Sequence, residues 1–183
     1  MIFISTGGFK NQMAWKISQK YMSFGLNNIE LSGGLYSSEN LNKLKQMKSL
    51  ASFRVHNYFP PPSQPFVFNL GSLNPDTLER SRKHAIKAIQ CANELESPIY
   101  SFHAGFLLDP KVEELGKKIR KRSIFNRNES MDIFIDSVNN LAEYAISQGV
   151  NLLIENNVLS ANNYKEFKTN PFLLATADEC VST

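Results

Sequence analysis

Two hydrophobic periods alternate along the chain. Short runs that are apolar or alternate apolar with polar recur at 2–5, 28–32, 52–55, 98–102 and 152–154, and each predicts a strand. Between them apolar residues return at three- and four-residue steps, the helical period. Met13, Trp15, Ile17, Tyr21, Met22 and Phe24 predict a helix over 11–24 with Gly25 behind it. Leu41, Leu44 and Met47 predict one over 39–48, with a cap from Ser37-Ser38-Glu39-Asn40. Asn74 suits a cap and Pro75 a first helical position, so a helix should run from there to about Leu95. The strongest stripe is Met131, Phe134, Ile135, Val138, Leu141, Ala142, Ala145 and Ile146, capped at Ser130 and stopped by Gly149. Ala177-Asp178-Glu179 opens a further helix shortly before Thr183. Strands alternating with helices predict a parallel sheet.

The strands share a design in which apolar residues are followed at once by polar or small ones. Ile2-Phe3-Ile4-Ser5 leads into Thr6-Gly7-Gly8, and Asn28-Ile29-Glu30-Leu31-Ser32 into Gly33-Gly34. The third strand ends in His56-Asn57, the fourth in His103-Ala104-Gly105. Leu152-Leu153-Ile154 reads as a fully buried strand and runs into Glu155-Asn156-Asn157. Ligands of parallel α/β sheets bind beyond such strand ends.

Three segments fit no regular element. Asn57-Tyr58-Phe59-Pro60-Pro61-Pro62 must be a loop. Phe66-Val67-Phe68-Asn69-Leu70 suits a small hairpin arm or a loop wall. Residues 107–129 are charged and irregular, the character of a lid or a disordered insertion. No internal repeat and no linker divides the 183 residues, which read as a single domain.

Composition narrows the picture modestly. A hydrophobic share of 42% and a charged share of 20% suit a globular protein, and no apolar run has the roughly 20 residues that span a bilayer. The N-terminus lacks a positively charged start before its apolar stretch and reads as a strand, not a signal peptide. Cys91 falls on the apolar side of a helix and Cys180 has no matching partner, so a reducing cytoplasm is expected. His84 adjoins a helical apolar stripe and reads as a surface or packing residue. Of the net +3 charge, the dense part is Lys117-Lys118-Ile119-Arg120-Lys121-Arg122. This run is either a solvated loop or a clamp for phosphate or carboxylate. With no interleaved aromatics it is a weak nucleic-acid signal.

His56, His103 and Glu155 stand at the ends of the third, fourth and fifth predicted strands. Neighbouring strands lie roughly 5 Å apart, so side chains on such ends converge. Two imidazoles and a carboxylate suit a divalent cation such as manganese, cobalt, zinc or magnesium.

These stretches carry a resemblance. Ile29-Glu30-Leu31-Ser32-Gly33-Gly34, Val55-His56-Asn57-Tyr58-Phe59-Pro60, Phe102-His103-Ala104-Gly105 and Leu153-Ile154-Glu155-Asn156-Asn157 resemble the xylose-isomerase-like barrel superfamily. That superfamily holds sugar and sugar-phosphate isomerases and epimerases, and apurinic-site endonucleases. The resemblance implies a parallel (β/α)8 barrel of TIM type with a metal site at the strand C-termini. It implies that Glu155 is a metal-binding carboxylate within an acid/base pair, and that His56 and His103 match zinc-binding histidines of the endonucleases. A full barrel takes about 250 residues, and this chain supplies about five of eight units. It therefore reads as a fragment or a truncated homologue, with exposed first and fifth strand edges that a second copy could cover. A five-stranded open doubly wound sheet is the alternative, although no phosphate-binding Gly-rich loop marks a nucleotide site.

The expected activity is metal-dependent isomerisation or epimerisation of a sugar or sugar phosphate, with Glu155 moving the proton. Asn57, Asn156 and Asn157 are expected to bind hydroxyls, and Tyr58, Phe59 and Phe106 to wall the sugar. Glu30 either joins the site or serves as an ion-pair partner. The rival expectations are an abasic-site endonuclease and an inactive partial barrel that binds sugar or a partner protein.

Overall fold

A computed structural model describes residues 1–9 and 11–181; Thr183 lies outside them. It contains β1 (Ile4–Ser5), α1 (Ala14–Ser23), β2 (Asn28–Leu31), α2 (Asn40–Lys45), β3 (Ser52–His56), α3 (Pro75–Glu94) and β4 (Ile99–His103). α4 (Arg127–Ser147), β5 (Asn151–Glu155), α5 (Ala161–Phe167) and α6 (Ala177–Val181) follow. The strands form one sheet in the order β1-β2-β3-β4-β5. The ladders joining β1 to β2, β2 to β3 and β3 to β4 are parallel. A doubly wound sheet reverses its strand order at a switch point. The sequential order therefore excludes that alternative and matches one arc of a barrel. No helix among the described residues is long and apolar enough to cross a membrane.

By contacts the chain falls into two compact units. The first comprises Met1–Gln64, Ala85–Phe102 and Ala142–Leu153. Its core is built by strand periodicity: Ile29, Leu31, Phe53, Val55, Tyr100 and Phe102 are all buried and alternate with more exposed residues. Ile17, Leu44 and Ile89 bring the apolar stripes of α1, α2 and α3 into the same core. Cys91 is buried there, and burial, with Glu94 adding to it, pushes its thiol up to about 12. Gly149 ends α4 at φ +69, a left-handed conformation that costs glycine little, while Val150 N donates to Ala145 O.

The second unit comprises Pro65–His84, His103–Leu141 and Ile154–Thr183. α3 begins as the sequence predicts: Asn74 Oδ1 accepts from Asp76 N and Thr77 N at 3.0 and 3.2 Å. α4 does not. Asn126 Oδ1 accepts from Asn128 N and Glu129 N, so the helix starts nearly a turn before Ser130, which is buried inside it. Residues 66–70 form neither a hairpin nor an open wall. They are coil around the buried Val67, Phe68, Asn69 and Leu70. His84 packs edge-on against Phe66 and Phe68 and is buried, not on the surface.

Two further expectations fail for physical reasons. β5 is not fully buried, since Leu153 and Ile154 are 47% and 36% exposed. It is the last strand of the sheet, with a neighbour on one side only. Residues 107–126 are not a disordered insertion. Leu107, Leu108 and Ile119 are buried, and Leu108 and Ile119 pack with Phe167 and Phe172.

Candidate metal centre

Strand pleating sorts the side chains of β1–β4 into two faces. Ile29 pairs with Phe53, and Leu31 with Val55 and Val55 with Tyr100, giving apolar rows on the helix-covered face. The intervening rows are Ser5-Glu30-Arg54 and His56-Ser101. The sheet thus carries one apolar and one polar face, and the polar one holds the chemistry. His103 follows Ser101 by two residues on β4, so the pleat returns it to that polar face.

His56 Nδ1 lies 2.8 Å from Ser101 Oγ. A hydroxyl on one ring nitrogen orients the ring plane and leaves the other nitrogen to serve as a metal ligand. His103 Nδ1 lies 3.6 Å from Glu155 Oε2, and both side chains are 44% exposed. β5 is held in register there by Ala104 N, which donates to Glu155 O at 3.0 Å. One ligand atom from each of His56, His103 and Glu155 lies within 4.8 Å of the other two. A cation that binds nitrogen or carboxylate oxygen at roughly 2.1 Å spaces its donors about 3 to 4 Å apart. The donor set therefore fits a divalent ion with only small side-chain movement.

The other predicted site residues divide. Glu30 is on the polar face, partly buried, beside Arg54 and one pleat before the row of His56. Asn57 adopts φ +43; its N donates to Ser101 O and its O accepts from Tyr100 Oη, so its backbone ties β3 to β4. Tyr58 is partly buried. Phe59 has no exposed surface and is core, so it cannot wall a ligand. Asn157 Nδ2 donates to Ala104 O, Gly105 O and Leu173 O. This amide nitrogen holds backbone together. Asn156 alternates away from Glu155 and, with Ile154 and Cys180, lines a cavity of about 410 Å³ against α4. Phe106 meets Phe172 edge to face, with centroids 5.5 Å apart.

Three residues of consequence were missed in the sequence. Ser101 orients His56, and the strand period alone could have found it, two residues before His103. Arg54 shares the polar face and stacks on Phe3, 4.1 Å from the ring centroid. Asn69 is fully buried and accepts from Gly71 N and Phe106 N. Its amide faces Phe106 O, Leu108 O and Asp109 Oδ1. No local pattern announces such a hub.

Two of the five cations in the basic run are paired within the second unit. Arg122 Nη2 reaches both oxygens of Glu114, and Lys118 Nζ lies 2.7 Å from Glu166. Burial would raise the pKa of Glu114. The N–H groups of Lys111 and Arg120 and the Arg122 guanidinium outweigh that and hold the carboxyl at about 2.

A family model described as a xylose isomerase-like TIM barrel matches residues 20–169. Among solved structures, that of an L-ribulose 3-epimerase superposes with a TM-score of 0.66 at 15% identity, covering 99% of this chain and 55% of that one. D-allulose 3-epimerase from Methylomonas sp., in complex with D-allulose, gives 0.60 at 13% identity, covering 97% and 55%. A D-tagatose 3-epimerase-like protein gives 0.59 at 18% identity, covering 79% and 49%. This chain thus spans about half the length of the structures it resembles.

Proposed function

We propose a function for a chain that belongs to the xylose isomerase-like TIM barrel family: it moves a proton next to the carbonyl of a sugar or sugar derivative, as a metal-dependent isomerase or epimerase. The observation that carries this reading is the convergence of His56, His103 and Glu155 at three adjacent strand ends. The epimerase folds among its structural neighbours support it.

His56, oriented by Ser101, would hold the cation together with His103 and Glu155. Imidazole and carboxylate donors suit manganese, cobalt or zinc, and magnesium less well. When bound, such a cation supplies Lewis-acid polarisation of a substrate oxygen. Glu155 is the group on this chain that can take the proton. Its carboxylate accepts hydrogen from the carbon beside the carbonyl. The C–H electron pair becomes a carbon–carbon double bond, and the carbonyl oxygen takes up the charge. Returning the proton from Glu155 to the former carbonyl carbon, while the proton of the adjacent hydroxyl passes to the former carbonyl oxygen and a new carbonyl forms at that adjacent carbon, isomerises the sugar. Epimerisation needs a second acid on the opposite face of the same carbon. A reducing cytoplasm fits the two unpaired thiols, Cys91 and Cys180.

Exchange of substrate hydrogen with deuterated solvent tests this directly. With manganese or cobalt present, at least one member of a panel of sugars and sugar phosphates should exchange, and Glu155→Gln should abolish it. Absence of exchange throughout the panel would contradict the reading.

A further inference from the structure

The chain turns sharply as soon as β3 delivers His56. His56 O accepts from Phe59 N at 3.2 Å, closing a turn whose first inner residue, Asn57, stands at φ +43. Left-handed backbone is uncommon for a residue with a Cβ; asparagine tolerates it better than most, and glycine best. The carboxamide of Asn57 makes no hydrogen bond among the described residues, whereas its N–H and its carbonyl are both engaged. Within the fold, then, this position demands a backbone conformation.

Two bonds tie that turn to β4. Asn57 N donates to Ser101 O at 2.6 Å, and Asn57 O accepts from Tyr100 Oη at 3.1 Å. Tyr100 and Ser101 are consecutive, so their side chains leave β4 on opposite faces. Ser101 Oγ meets the His56 ring on the polar face. The Tyr100 ring has no exposed surface and lies in the apolar core, its centroid 5.4 Å from that of Phe102. From there its hydroxyl reaches the peptide group directly after His56. A buried phenol requires a partner, and the Asn57 carbonyl supplies it. Burial raises the Tyr100 pKa, so the hydroxyl stays a donor across the ordinary pH range.

We propose that Tyr100 and Asn57 are positioning residues for His56: the buried phenol holds the left-handed turn, and the turn fixes where the imidazole leaves β3. Ser101 then sets the plane of the ring. The core side of β4 thus places the imidazole, and the polar side of the same strand orients it. The consequence for metal binding rests on reading His56 as a ligand; the placement of the ring does not.

NMR shifts of the His56 ring nitrogens in the metal-free chain read that placement, and metal competition titrations read its consequence. Tyr100→Phe keeps the ring in the core and removes the hydroxyl. It should move the shifts in the same direction as Ser101→Ala does. It should also weaken manganese or zinc binding by about threefold to tenfold, less than loss of a group that touches a ligand. Asn57→Ala and Asn57→Gly both lose the carboxamide, but only glycine keeps easy access to the left-handed turn. Asn57→Gly should therefore match the parent in both readouts, and Asn57→Ala should follow Tyr100→Phe. Ile89→Val trims a side chain buried in the same core, controls for destabilisation alone, and should leave both readouts unchanged. Unmoved shifts in Tyr100→Phe, or full affinity in it where the parent binds metal, would overturn the proposal. So would equal behaviour of the two Asn57 variants, or the same change in Ile89→Val. Shifts that respond as stated in a parent chain that binds neither metal would keep the positioning role and remove the metal-dependent reading.

Discussion

His56 and Ser101 are Cα partners across β3 and β4, and their side chains meet at 2.8 Å between Nδ1 and Oγ. The pairing links the fold to the chemistry, because the parallel register places a hydroxyl where an imidazole needs orienting. Ser101→Ala should weaken divalent-metal binding by roughly tenfold to a hundredfold, as loss of such an orienting partner usually does. Thermal stability should change little, since one partly exposed hydrogen bond contributes about 1 kcal/mol. Metal competition titrations alongside melting curves separate the two effects.

Asn69 should matter to stability and not to metal affinity. Asn69→Ala leaves the N–H groups of Gly71 and Phe106 and two backbone carbonyls without their buried partner. A loss of roughly 2 to 4 kcal/mol is expected, from two or more buried groups left unsatisfied. Urea unfolding measures it. Gly105→Ala should act on the same knot, since a Cβ there would stand 2.7 Å from Asn69 Oδ1 and 3.1 Å from Gly71 N.

Glu114 gives the 107–126 segment a defined acid sensitivity. Its folded pKa, about 2, lies below the ordinary 4.5. The carboxylate therefore stabilises the fold above the ordinary value, and that contribution is lost as pH falls from 4.5 towards about 2. Glu114→Gln should be less stable than the parent at neutral pH, and the gap should close across that window. Unfolding curves at stepped pH would show it; a gap independent of pH would contradict it.

The two thiols should differ sharply in reactivity. Cys91 is buried with its thiol pushed to about 12, whereas Cys180 is exposed. A thiolate reagent should modify Cys180 in the native protein and Cys91 only after unfolding. Peptide mapping after brief alkylation reads this out.

Strand ends were the legible part of this molecule. A change from apolar to polar residues marks where a buried strand reaches solvent, and it located His56, His103 and Glu155 without coordinates. The parallel sheet followed from strand–helix alternation for the same reason. What the sequence hid was decided by neighbours distant along the chain. The exposure of Leu153 and Ile154 depends on β5 having no further strand beside it. Asn157 looked like a ligand-binding amide because nothing local reveals the three carbonyls it holds. Phe59 sits beside a proline-rich loop, yet packing places it in the core. Asn126 took the cap from Ser130 because both have suitable side chains and only tertiary packing chose between them.

The most direct test of the central claim is metal affinity measured by competition with a chelating indicator, for the parent chain and for His56→Ala, His103→Ala and Glu155→Gln. Each single substitution should weaken manganese or zinc binding by on the order of a hundredfold, with pairs costing less than the sum, because the three donors act on one ion. A parent chain that binds neither metal, or a Glu155→Gln variant that binds as tightly as the parent, would contradict the account.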